Sequence, residues 1–181
     1  MGGGGVSKSY RVMAEGRYVK MVDQGGWEYL ERKNISGVTL IVPVTDDGQV
    51  VLVEQPRVPL GKKVIEFPAG LAGDVPGTEH ESLAEAARRE LIEETGYDAA
   101  EMIFLTEGPP SPALNDEVIV FFMAKGLTRV GEGGGDDTED IIVHVVGLDD
   151  IDGWLEEKRA SGLLIDPKIY TGLYFIHRES H

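Results

Sequence analysis

The sequence predicts an α/β domain, and three observations carry that expectation. Short segments with apolar residues at alternate positions are separated by Gly- and Asp-rich turns over much of the chain. Residues 81–95 instead place apolar residues at helical spacing and stop at Gly96. Two further helix-like segments, 148–158 and 167–178, close the sequence.

In chain order, residues 1–8 read as a flexible tail. Residues 10–13, 17–22 and 27–32 alternate as strands. Asp23-Gln24-Gly25-Gly26 makes a hairpin turn between the last two, because glycine supplies the backbone angles that a tight hairpin needs. Residues 9–33 are therefore expected to form a small N-terminal antiparallel β-sheet, and residues 34–181 the main domain. Residues 38–44 and 49–54 read as strands joined by a second hairpin at 45–48. The helix over 81–95 buries Leu83, Ala87 and Leu91 and is capped by Gly96. Strands are expected near 102–106, 118–124 and 141–146, with 126–140 as a loop rich in Gly and Asp.

At 181 residues, 41% hydrophobic and 27% charged, the chain suits one domain with a real core. A net charge of −15 disfavours nucleic acid, whose phosphates recruit basic patches, and likewise an anionic membrane surface. The absence of cysteine excludes disulfides, thiol catalysis and thiolate metal sites, and fits a reducing cytoplasm. No apolar run is long enough for a transmembrane helix.

Chemistry concentrates in Arg89-Glu90-Leu91-Ile92-Glu93-Glu94-Thr95-Gly96. On a helix Glu90, Glu93 and Glu94 share one face, where like charges cost about 0.2–0.5 kcal/mol per pair. Glu94 also lies beside the apolar stripe, so part of the cluster borders the core. Partly buried carboxylates need a counter-charge, and three converging oxygens suit Mg²⁺ or Mn²⁺. The plainer reading is a solvated helix with surface pairs such as Glu85 with Arg89.

The wider pattern Gly70-x10-Glu81-x7-Arg89-Glu90-Leu91-x-Glu93-Glu94-x-Gly96-Tyr97 resembles the signature box of the Nudix hydrolases, G-x5-E-x7-R-E-U-x-E-E-x-G-U. It departs only in the loop, where ten residues separate Gly70 from Glu81. The resemblance implies an α/β/α sandwich. Outside the box, Glu54-Gln55-Pro56-Arg57-Val58-Pro59, Glu66-Phe67-Pro68-Ala69-Gly70-Leu71 and Ser111-Pro112-Ala113-Leu114-Asn115-Asp116-Glu117 resemble segments of the ADP-ribose pyrophosphatases. Prolines 109, 110 and 112 stand where that subfamily carries a characteristic proline.

The residues and the resemblance together assign roles. Glu90, Glu94 and Glu93 are the metal-ligand candidates, and the resemblance adds the backbone carbonyl of Ala69. Arg89 is expected to orient a glutamate of the cluster, against the simpler role of a surface ion pair. Glu81 is expected to be structural. The resemblance places a general base in the acidic loop Asp136–Asp140, with Glu139 preferred and Asp137 second; without it the loop would read as a solvated charge run. Arg57 is the candidate phosphate ligand. Trp27 is the candidate for stacking on an adenine, in its own or a partner subunit's site, with sheet packing as the competing role. Glu28, Arg32, Leu71, Ser111 and Glu117 complete the substrate-binding candidates. No histidine has ligand spacing, and Trp154 reads as packing.

The expected activity is Mg²⁺- or Mn²⁺-dependent hydrolysis of ADP-ribose to AMP and ribose 5-phosphate, by a homodimer if the resemblance extends so far. One alternative is the same reaction on another nucleoside diphosphate sugar, such as GDP-mannose. The other is a non-catalytic nucleotide-binding module. An intact box argues against the second.

Overall fold

The structure is a computed structural model, and it describes residues 9–78, 80–135 and 140–179. Eleven strands form three sheets among these residues. β1 (Tyr10–Glu15), β2 (Val19–Gln24) and β3 (Trp27–Arg32) make an antiparallel meander. The turn between β2 and β3 is the expected one: Gln24 pairs with Trp27, and Gly25 and Gly26 both have positive φ. This sheet docks on its own chain through Leu30, whose N–H donates to Leu114 O at 2.8 Å.

The other two sheets sandwich the main core. One has the order β7-β4-β9-β8, comprising β4 (Gly37–Pro43), β7 (Ala69–Ala72), β8 (Tyr97–Gly108) and β9 (Ile119–Arg129). The other has the order β10-β5-β6-β11, comprising β5 (Gln49–Arg57), β6 (Lys62–Glu66), β10 (Ile142–Gly147) and β11 (Leu164–Ile165). β4 is central, parallel to β9, and buried on both faces. Leu40 and Val42 face the main core with Leu52, Ile65 and Phe121, whereas Ile41 faces a second core. A strand buried on both sides reads as a near-continuous apolar run, which residues 38–44 show apart from Thr39.

α1 (Leu83–Thr95) covers that second core through Ala87 and Leu91. α2 (Ile151–Ala160) and α3 (Lys168–Glu179) pack on the main core through Ile151, Leu155, Ile169 and Leu173. The expected α/β/α sandwich is therefore present. Gly172 lets α3 lie flush on Phe67, since a Cβ there would fall 2.7 Å from Phe67 Cζ and 3.0 Å from Val42 Cγ2. No helix among the described residues is long and apolar enough to cross a membrane.

Several details differ from expectation. The turn at residues 45–48 forms, with Gly48 N–H on Thr45 O at 3.1 Å, but it does not join a hairpin. After the single bridge Val44–Val50, β4 and β5 part into different sheets. Turn chemistry is local and cannot register that both strands find better partners elsewhere. The helix begins at Leu83, because Ser82 caps it in a reciprocal capping box with Glu85. β8 starts directly after Gly96, and β9 runs to Arg129, shortening the expected loop at 126–140. The short strands β6, β7 and β11 went unforeseen.

Candidate active site

A cleft of about 550 Å³ opens where α1, β7, the end of β6 and the start of α3 meet. Its acidic wall comes from α1. Glu94 is 3% exposed and accepts a hydrogen bond from Ala69 N–H at 3.1 Å, which holds the helix against the Pro68–Ala69 turn. Glu90 lies one turn earlier and beside Gly70. A Cβ on Gly70 would overlap the Glu90 carboxyl, so glycine is the residue that admits this carboxylate. Burial pushes the Glu90 carboxyl up to about 7, against the pull of Arg89 and with Glu93 and Asp74 adding repulsion.

Arg89 organises this wall. Nη1 donates to Glu90 Oε1 at 2.8 Å, and Nη2 donates to Leu71 O at 2.9 Å and Glu81 Oε1 at 3.0 Å. Asp74 and Glu93 stand further off, at 3.6 and 3.9 Å. Burial disfavours the guanidinium charge, but Glu81 and Glu90 more than offset it and raise the Arg89 pKa above its ordinary value. The expected orienting role thus has its geometry, whereas the pair Glu85–Arg89 does not form: Glu85 belongs to the helix cap.

Opposite stands Arg57, at the end of β5, gripped by both oxygens of Glu66. Gln55 Nε2 donates to Glu66 as well, at 3.1 Å. Arg32, at the end of β3, reaches the cleft and donates to Glu117 Oε1 at 2.7 Å. Leu71 and Ser111 also line it.

Among the described residues, six carboxylates (Glu66, Asp74, Glu90, Glu94, Glu117 and Asp166) and three cations (Arg32, Arg57 and Lys168) thus line one cleft. Such an excess of negative charge fits a divalent cation. Glu90, Glu94 and Ala69 line the cleft together. Glu93 lies outside the cleft lining, with its side chain 40% exposed. Among the described residues no three His, Asp or Glu side chains converge on one point.

Trp27 is 67% exposed, so it is not packed into a sheet core. It borders a separate hollow of about 370 Å³ with Tyr29, Pro112 and Asn115. Glu28 is exposed on β3 and lines neither space. Glu139 and Asp137 lie outside the described residues; their neighbour Asp140 pairs with Lys63 at 3.1 Å.

Residues without an assigned sequence role also enter the cleft: Glu66, Asp74, Asn115, Asp166 and Lys168. Glu66 and Asn115 sit inside segments that carry the subfamily resemblance, which was the available signal. Asp74, in the lengthened loop, gave none.

A family model described as NUDIX domain matches residues 35–164. The chain is 34% identical over 126 residues to the methanol dehydrogenase activator of Bacillus methanolicus, covering 68% of this chain and 64% of that protein. It is 35% identical over 115 residues to the ADP-ribose pyrophosphatase of Bacillus subtilis, covering 63% and 60%. It is 30% identical over 161 residues to the GDP-mannose pyrophosphatase of Citrobacter koseri, covering 84% and 78%. The chain therefore spans less than two thirds of the first two relatives. A crystal structure described as an ADP compounds hydrolase shares the fold, with a TM-score of 0.69 at 24% identity over 94% of this chain and 90% of that one. With Gly70, Glu90 and Glu94 of the box along one cleft and the family model spanning most of the sequence, the chain belongs to the Nudix hydrolase family.

Proposed function

We propose that this Nudix hydrolase splits the pyrophosphate of ADP-ribose into AMP and ribose 5-phosphate with a divalent metal, Mg²⁺ or Mn²⁺. The observation that carries the reading is the cleft in which the α1 carboxylates face Arg57 and Arg32. A pyrophosphate resists attack because its negative charge repels nucleophiles. When bound, the metal screens that charge, polarises the phosphoryl oxygens and lowers the pKa of coordinated water. Glu90, Glu94 and the Ala69 carbonyl hold it.

The remaining residues position and recognise. Arg89 fixes the Glu90 carboxylate. Arg57, kept in place by Glu66, binds a phosphate oxygen. Glu139, or Asp137 in its place, takes the proton from the attacking water. Ser111, Glu117, Arg32 and Leu71 bind the sugars, and Trp27 stacks on the adenine. The exposed apolar side chains of the N-terminal sheet, among them Tyr10, Val12 and Val19, support a homodimer formed through that sheet.

GDP-mannose is the second reading, favoured by the likeness to a GDP-mannose pyrophosphatase over 84% of this chain. The test incubates purified protein with Mg²⁺, and separately with Mn²⁺, and ADP-ribose, GDP-mannose, UDP-glucose or diadenosine polyphosphates and identifies the products. Preferential release of AMP and ribose 5-phosphate is expected. Preference for GDP-mannose would move the substrate assignment, and no cleavage with either metal would overturn the hydrolytic reading.

A further inference from the structure

Asn115 holds a particular place between two spaces. Among the described residues it is the one that lines both the Trp27 hollow and the main cleft. Its backbone is fixed: its N–H donates to Ser111 O at 3.1 Å, and it bridges Leu30 of β3. Its side-chain amide is oriented too. Nδ2 donates to Glu117 Oε2 at 3.3 Å, and the other Glu117 oxygen takes Arg32 Nε at 2.7 Å. A carboxylate accepts only, so the amide nitrogen must face Glu117 and the carbonyl oxygen must face away. That oxygen, Oδ1, is the one buried side-chain polar atom among the described residues with no hydrogen-bond partner. A buried acceptor left without a donor costs folding free energy.

We propose that Asn115 is a specificity-determining residue that reads the adenosine ribose, with Oδ1 accepting a hydrogen bond from a ribose hydroxyl. The proposal rests on the nucleotide reading above and adds a residue and a contact to it. A nucleotide runs from base through ribose to phosphate. With its base on Trp27 and its phosphates between Arg57 and the α1 carboxylates, the ribose crosses at Asn115. The hydroxyl is a donor, and the unsatisfied group is an acceptor. Asn115 is itself half-buried and borders both spaces, which brings its side chain within reach of a ligand that crosses the junction. A site built to bond a hydroxyl rejects the analogue lacking it, because the protein group is then left unpaired.

The test measures Kd by calorimetry, with Mg²⁺, for AMP, 2′-deoxy-AMP and 3′-deoxy-AMP on the full chain and on Asn115→Leu. The leucine keeps the shape and removes the acceptor. The wild type is expected to prefer AMP about tenfold over one deoxy analogue, and the variant to lose that preference. Asn115→Ala, which also lacks the acceptor, serves as a second variant if the leucine chain does not fold. Equal affinity of the wild type for all three nucleotides, or a wild-type preference surviving in the variant, would overturn the role of Asn115. These readouts need no turnover, so failure of ADP-ribose hydrolysis is a separate result that counts against the substrate reading.

Discussion

Arg89 Nη2 donates to Glu81 Oε1 at 3.0 Å, which ties the middle of α1 to the last residue of the lengthened loop. Glu81 also accepts from Gly73 N–H at 3.2 Å, at the loop's beginning. One carboxylate therefore closes both ends of the loop and holds the arginine that orients Glu90. Glu81→Gln keeps the shape but gives up the charge. It is expected to raise the Mg²⁺ concentration for half-maximal activity about 10–100-fold, as supporting groups around metal ligands typically do. Titrating activity with Mg²⁺ checks this, and an unchanged midpoint would reduce Glu81 to a loop clip.

The same carboxylate predicts acid behaviour. Arg89, then Gly73 N–H and Thr78, hold Glu81 below its ordinary value of 4.5, with burial opposing. A carboxyl depressed in the folded state adds stability above its unfolded pKa and loses it as pH falls through the folded pKa. Below about pH 4.5 the wild type should therefore lose stability on this account, while Glu81→Gln, already without the charge, should show a flatter acid limb. Urea unfolding midpoints across acid pH, compared between the two, measure the difference.

The sequence carried the helix and its cluster because every restraint there is local: the stripe of Ala87 and Leu91, the cap at Gly96, the carboxylates at i, i+3 and i+4. It could not carry what depends on distant pairing. β4 and β5 read as a hairpin because Thr45–Gly48 is good turn chemistry, yet β9 takes β4 and β6 takes β5. β7 is four residues with no alternation to read, and it exists because β4 offers it an edge. In the site, Glu90, Glu94 and Arg57 were legible from type and spacing. Asp166 and Lys168 enter the cleft only because β11 adds to β6 and brings α3 alongside, a pairing one hundred positions apart in the chain.

Glu94 is the most buried carboxylate of the wall, and its hydrogen bond from Ala69 N–H survives replacement by glutamine in geometry. Glu94→Gln should therefore leave the fold in place while removing a metal-binding charge. Turnover is expected to fall by roughly 10²-fold or more, with an unchanged circular dichroism spectrum. A variant with near wild-type rate would overturn the assignment of Glu94 to the metal.

Two glycines inside helices should respond to alanine with opposite signs. Alanine is favoured over glycine in a helix by about 1 kcal/mol, so propensity alone stabilises both changes. At Gly153, on the exposed side of α2, a new Cβ meets nothing within 4 Å, and the propensity gain stands. At Gly172, in α3, it would crowd Phe67 Cζ at 2.7 Å and Val42 Cγ2 at 3.0 Å. Phe67 is 1% exposed and has no room to retreat. Overpacking of a closed core costs about 1–3 kcal/mol, enough to reverse the propensity gain. Phe67 also lies between Glu66 and Ala69, so a displaced ring disturbs both the anchor of Arg57 and the turn that receives Glu94. Thermal melts should show Gly153→Ala above the wild type and Gly172→Ala below it, with only the second losing activity. Equal upward shifts would mean that α3 can lift from Phe67 without cost, and that the site does not depend on that contact.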